Sequence, residues 1–189
     1  MEGQKIISVL CSSFDSNRSV NYAIKQDAKR KLRLRNLIAY SFEVAKRKGE
    51  VFLDETQTTA ALITFSDKKI NFATQTIHDL QLIATSIGLS GVRKVLAREK
   101  YINSYHPKTK YIYLWFIGVG IGSERKGFGS MTLRKIIEKS ESLKMPVYLE
   151  TSMPENIPFY TKNGFEVYHE ANINACGFVT YFMRREIGG

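Results

Sequence analysis

Apolar residues at Ile6, Ile7, Val9, Leu10 and Phe14 predict a short first helix that ends in the polar stretch DSNRS. From Asp27 to Lys48, Leu34, Leu37, Ile38, Phe42 and Ala45 recur at helical spacing, and Gly49 follows as a stop. The period then changes. EVFLDE and AALITFS read as two strands joined by TQTT, which makes a hairpin. Residues 75 to 100 return to helical spacing, interrupted near Gly88 and Gly91, and so predict two helices. YIYLWFIGV is apolar on both faces, as a central strand covered on both sides must be. VYLET is a further strand, ENIPFYTKN a short helix, and GFEVYHE and FVTYFMRRE two closing strands.

Residues 111 to 151 form a strand–helix–strand unit, so their two strands should lie parallel with a right-handed crossover. The class is mixed α/β, with three layers around one sheet. At 189 residues and 43% hydrophobic, the chain predicts one domain over residues 1–189 with a single core. The longest apolar stretch, YIYLWFIGVGIG, falls short of the roughly 18 residues a spanning helix needs. The apolar run before Cys11 is only Ile6 to Leu10 and follows Glu2, which does not fit a lipoprotein leader. Two cysteines, Cys11 and Cys176, suit a reduced cytoplasmic setting better than a disulfide framework.

Charge narrows the partners. With 28 Lys and Arg against 18 Asp and Glu, the net charge is +10, which attracts nucleic acid, an anionic membrane or a phosphorylated cofactor. Lys29, Arg30, Arg33 and Arg35 lie on one face of the long helix, either as a solvated face or as a phosphate-binding stripe. The second anion signal is GVGIGSERKGFGSMTLRKIIEKS, residues 118 to 140, with five glycines in its first twelve residues and a helical pattern after them. The first amides of that helix lack internal acceptors, and Arg125 and Lys126 precede them. A diphosphate is the natural guest of such a turn. The nucleotide P-loop does not fit, because Lys126 precedes Gly127 and no Ser or Thr follows a lysine there. The dinucleotide fingerprint fails at Ser123 or at Arg125, depending on which glycine starts it.

ERKGFG opening a helix after a strand resembles the acetyl-CoA-binding motif of the Gcn5-related N-acetyltransferase (GNAT) superfamily, [QR]-x-x-G-x-[GA]. VYLETSMPENIPFYTKNGFEV, residues 147 to 167, is similar to that superfamily's next motif, with a tyrosine four residues before a Gly-Phe pair. LWFIGV, GFGS, LETS and NIPFY look most like the puromycin N-acetyltransferase branch, though the likeness concerns scaffold and cofactor half rather than substrate. Glu124 departs from the motif, standing where Gln or Arg is usual, and is expected to point to solvent.

The resemblance implies a mostly antiparallel sheet with a central parallel, splayed strand pair and helices on both faces. It implies acetyl-CoA as cofactor, held by Ile117, Gly118, Val119, Arg125, Lys126, Gly127, Phe128, Gly129, Ser130, Asn156, Phe159 and Tyr160. Residues 111–189 would bind it, and residues 1–110 would form the acceptor side. The reaction implied is direct transfer of acetyl to the amine of a small molecule within a ternary complex. Tyr160 falls on the family's general acid, the Val119 amide on its oxyanion donor, and Glu150, at a strand's C-terminal end, would be a base or ammonium anchor. Protonating the leaving thiolate from a phenol of ordinary pKa is uphill, so Tyr160 needs either a hydrogen bond to the sulfur or a lowered pKa.

Each residue also has an ordinary role. Tyr160 would pack, Glu150 would be an exposed strand end, and Asn156 would cap the following helix. His78, His106 and His169 have no Cys or carboxylate at ligand spacing, so no metal is expected. Tyr22, Phe42 and Tyr181 would line an apolar acceptor pocket or belong to the core. Two rival functions stand beside the small-molecule reading: a non-catalytic nucleic-acid-binding or adaptor protein on the same fold, and a protein or peptide N-acetyltransferase. Monomer and homodimer are both compatible with the composition.

Overall fold

The computed structural model describes residues 2–69, 82–173 and 176–189. Helix α1 spans Glu2–Ser13, α2 Arg18–Ala23 and α3 Arg30–Lys48. The second of these lies where the polar stretch predicted only a loop. Asn17 explains it, because its side chain accepts the Val20 amide hydrogen at 3.1 Å and caps the first turn. Helix α3 starts later than predicted because the Asp27 carboxylate accepts from the Lys29 amide and the Arg33 guanidinium and stays outside the helix.

Strands β1 (Gly49–Leu53) and β2 (Thr59–Phe65) form the expected antiparallel hairpin. A π-turn, Ile83–Ile87, leads into α4, Leu89–Tyr105. The break between them is at Gly88, whose φ of +74° suits glycine, whereas Gly91 lies inside α4. Residues 75–81 of the predicted helical stretch lie outside the described residues. Then follow β3 (Ile112–Val119), α5 (Phe128–Leu143), β4 (Val147–Thr151), a 3₁₀ turn (Pro154–Asn156), α6 (Ile157–Thr161), β5 (Glu166–Ile173) and β6 (Phe178–Arg185).

The six strands lie in the order β1-β2-β3-β4-β6-β5, antiparallel except for the central β3–β4 pair. Alternation along the strands feeds two cores. Leu62 packs with Ile6, Leu10, Leu34 and Ile38 of α1 and α3, whereas Ile63 packs with Leu133 and Ile136 of α5. On β6, Met183 joins the α5 side and Phe182 meets Ile102 of α4 on the other. Helices therefore cover both faces. Among the described residues no helix is long and apolar enough to cross a membrane.

Strand β3 departs from the uniformly covered strand its composition predicts. Ile112, Leu114, Phe116 and Gly118 are buried, while Tyr113, Trp115, Ile117 and Val119 are only half-buried. The four half-buried side chains border two cavities, which is why an apolar strand leaves part of itself uncovered.

Candidate active site

The site begins where β3 and β4 part. Their parallel ladder holds only Ile112 to Val147 and Tyr113 to Tyr148. Beyond it β3 stays paired with β2 as far as Val119, and β4 stays with β6 as far as Thr151. A bulge adds to the divergence. The β2–β3 register passes from Ile63 opposite Leu114 to Leu62 opposite Phe116, leaving Trp115 as the extra residue and re-aiming the strand. The Gly120 amide donates to the Thr58 carbonyl at 2.7 Å on the β2 side. Successive amides in a strand point to opposite edges, so those of Val119 and Ile117 face the gap toward β4.

A cavity of about 520 Å³ lies at the C-terminal end of this gap. Ile117, Gly118 and Val119 form one wall, and Arg125, Gly127, Gly129 and Ser130 a second. Asn156, Phe159 and Tyr160 close the third side, so three segments of the chain converge. Lys126 and Phe128, expected beside them, do not border it; the Lys126 ammonium instead donates to the Gly122 carbonyl at 2.8 Å and braces the turn. The N-terminal part of the chain adds Ser13, Phe14, Ser16 and Asn17, which no motif signalled.

The turn is built for an anion. Gly127, at φ +85°, sets up the first residue of α5, and no side chain caps that helix. The amides of its first turn are therefore open, with the positive end of the helix dipole behind them. A Cβ on Gly129 would sit 3.3 Å from Val119 Cγ2 and 3.7 Å from Phe159, so glycine keeps this wall thin. Glu124 does not simply project into solvent. Its carboxylate folds back to accept the Gly122 amide at 2.7 Å and borders the cavity.

Tyr160 is 8% exposed, wedged between Phe159 and Phe165, and its hydroxyl has no hydrogen-bond partner among the described residues. Burial pushes its phenol well above the ordinary tyrosine range. Of the two conditions set for Tyr160, a lowered pKa is thus removed and a hydrogen bond from the neutral hydroxyl remains. Asn156 caps nothing with its side chain, correcting the capping role expected for it.

A second cavity, also about 520 Å³, opens on the sheet face covered by α1, α3 and α4. Phe14 and Asn17 border both cavities, so the two meet there. Glu150 borders the second one and is far from being an exposed strand end. Its side chain is 5% exposed and that of His106 is 6%, with His106 Nε2 2.6 Å from Glu150 Oε1. Tyr113 donates to Glu150 Oε2 at 2.6 Å, and the Tyr111 hydroxyl lies 3.0 Å from His106 Nδ1. With Tyr111 donating to Nδ1, the shared hydrogen lies on Nε2. Burial, then the Glu150 charge, push the Tyr113 phenol well above its usual range. His106 is therefore no ordinary surface histidine, although no local signal marks it.

Farther along this wall, Arg98 meets Glu99 at 3.3 Å and donates to Ser19 Oγ at 3.0 Å. Enclosure raises the Glu99 carboxyl above its ordinary range; Arg98 opposes the shift and Glu150 adds to it. The accessible half of the Glu99 side chain borders the cavity. Tyr22 and Phe42 do not line it: Tyr22 packs on Phe178, and Phe42 belongs to the core. Tyr181 is absent from the wall as well, and among the described residues its aromatics are Phe14, Tyr40, Tyr113, Trp115 and Phe116.

Residues 87–165, which carry the splayed pair, the uncapped helix and Tyr160, match the family model described as Acetyltransferase (GNAT) family. The fold is similar to that of a histone acetyltransferase HPA2 and related acetyltransferase from Corynebacterium glutamicum, at 19% identity and a TM-score of 0.75, over 100% of this chain and 92% of that one. It is similar to arylalkylamine N-acetyltransferase 2 from Aedes aegypti at 12% identity and a TM-score of 0.65, over 98% and 94% of the two chains. The C-terminal condensation domain of Ebony gives the same TM-score and coverage at 9% identity. Identities this low show shared fold alone. The match to the GNAT acetyltransferase family model is thus confined to residues 87–165, while the chain as a whole adopts a GNAT-like fold.

Proposed function

We propose that the protein transfers acetyl from acetyl-CoA to the amine of a small molecule, both bound at once. The observation that carries this reading is the meeting of two cavities at the splayed strands, one ending at an uncapped helix N-terminus and the other at a buried carboxylate. The residues present fit acetyl-CoA. The α5 amides and Arg125 would hold its diphosphate, Ile117 and Val119 its peptide-like arm, and Gly129 leaves room where a Cβ would intrude. When bound, it supplies an acetyl group activated as a thioester.

Glu150 accepts hydrogen bonds from His106 and Tyr113, yet a carboxylate has about four lone-pair sites, so it can also take an ammonium and then its proton. The task is substantial, because freeing a lysine-like amine at pH 7 costs about 5 kcal/mol. The Val119 amide, facing the gap, donates to the carbonyl oxygen as negative charge develops there, a contribution of a few kcal/mol. Tyr160 donates its neutral hydroxyl to the departing sulfur. One C–N bond replaces one C–S bond; of the two protons the ammonium nitrogen loses, one passes to Glu150 and on to solvent, and the other balances the one gained by the thiol.

Thermal melts with acetyl-CoA, ATP and NAD test the cofactor assignment. At ~100 times its dissociation constant acetyl-CoA should add about 2.7 kcal/mol, a shift of a few degrees at this size. No shift, or equal shifts with ATP and NAD, would overturn it.

A further inference from the structure

Resting on that reading, the second cavity carries information about the acceptor. Helix α4 is amphipathic, but its apolar side is not packed flat on the sheet. Ile102, near its C-terminal end, is buried against Phe182 and Ala171. Toward its N-terminus, Val92 and Val95 are half-buried and Leu96 is 63% exposed, and all three border the cavity. Trp115 and Phe116 of β3 border the same cavity. Among the described residues this wall is aliphatic and aromatic over most of its extent, and its charged side chains are Arg98, Glu99 and Glu150.

Charge is as selective as shape. Among the described lining residues Arg98 offsets the charge of Glu99, so the charge left without a lysine or arginine beside it is that of Glu150. A chain of several ammonium groups would have one anchor and would lay its other charges against valine and tryptophan, at a desolvation cost without compensation. An amino sugar would leave its hydroxyls unpaired on the same wall. A cavity of about 520 Å³ lies within the range that encloses a compact organic molecule.

We infer that the acceptor is a singly charged primary amine on a flat apolar body, an arylalkyl type of amine, with its ammonium at Glu150 and its ring between α4 and Trp115. Trp115 is the only tryptophan of the chain, so its fluorescence reports directly on this cavity.

The test titrates 2-phenylethylamine, spermidine, glucosamine and a short peptide with a free α-amine, first against Trp115 fluorescence and then, with acetyl-CoA, by thiol release. The expected result is a saturable fluorescence change with 2-phenylethylamine and a kcat/KM at least 100-fold above the other three. In V95D, a charge on the wall should raise the KM for 2-phenylethylamine 10-fold or more while the melt shift with acetyl-CoA persists. Preference for spermidine, glucosamine or the peptide, or equal rates across the panel, would overturn the acceptor assignment and leave acetyl transfer standing. Stabilisation by acetyl-CoA without fluorescence change or turnover of 2-phenylethylamine would overturn it too. Absence of that stabilisation would instead strike the cofactor site itself.

Discussion

His106 and Glu150 are separated by 44 positions in the chain, and their side chains meet at 2.6 Å in a pocket that leaves both about one-twentieth exposed. The contact joins the end of α4 to the end of β4. It fixes the carboxylate on the wall of the second cavity.

In the proposed mechanism Glu150 takes the amine's proton, so Gln in its place, which keeps the shape, should lower kcat/KM by about 10²-fold or more. Replacing His106 by Ala leaves Glu150 and Tyr111 each short of a buried partner, at a cost of about 1–3 kcal/mol in stability. Chemical denaturation and pH–rate profiles of both variants provide the check. An unchanged profile in E150Q would remove Glu150 from the chemistry.

Tyr160→Phe should fold as the parent does, because the hydroxyl has no partner to lose among the described residues. Its kcat should fall by about 10²-fold. The raised phenol also sets an alkaline signature. Stability linked to it is complete below the ordinary tyrosine value near pH 10 and is lost as pH rises toward the native value. Y160F should therefore outlast the parent in melts above pH 10, and no alkaline loss of rate below that pH should trace to Tyr160.

Glu124 puts a negative charge on the rim of the anion site while its carboxylate holds the Gly122 amide. Gln in its place can still accept that hydrogen bond. E124Q should bind acetyl-CoA several-fold more tightly at low salt, with the advantage shrinking as ionic strength rises. Titrations at two salt concentrations decide it, and equal affinities would clear Glu124 of influence on the site.

Asp27 is bound by two nitrogens of Arg33 and by the Lys29 amide, and the Arg33 hydrogen bonds hold its carboxyl well below the usual range. A depressed carboxyl contributes stability that is present above its ordinary value near pH 4 and is lost as pH falls through the native value. D27N should melt below the parent at pH 7, and the difference should vanish in strong acid. A difference independent of pH would assign the effect to the start of α3 rather than to charge. With Arg30 on Asp15 and Arg35 on Gln4, three of the four basic residues of the candidate phosphate-binding stripe engage in contacts within the chain.

Whatever depends on neighbours in the chain was legible in the sequence. GFGS opening a helix specifies its own glycine conformations and open amides, VYLET alternates as a strand wherever it lies, and a strand–helix–strand unit implies a parallel pair. Tyr160 was singled out through the family motif and Glu150 as the end of such a strand. What joins distant segments was not legible, because burial and pairing there follow from packing rather than from local preference. The bulge at Trp115 arises only against β2, the His106–Glu150 contact only once α4 lies over β4, and the junction of the cavities only where Phe14 and Asn17 reach the splayed strands. A half-buried tryptophan and a core tryptophan look alike in a sequence, and only the tertiary structure decided that this one faces a cavity.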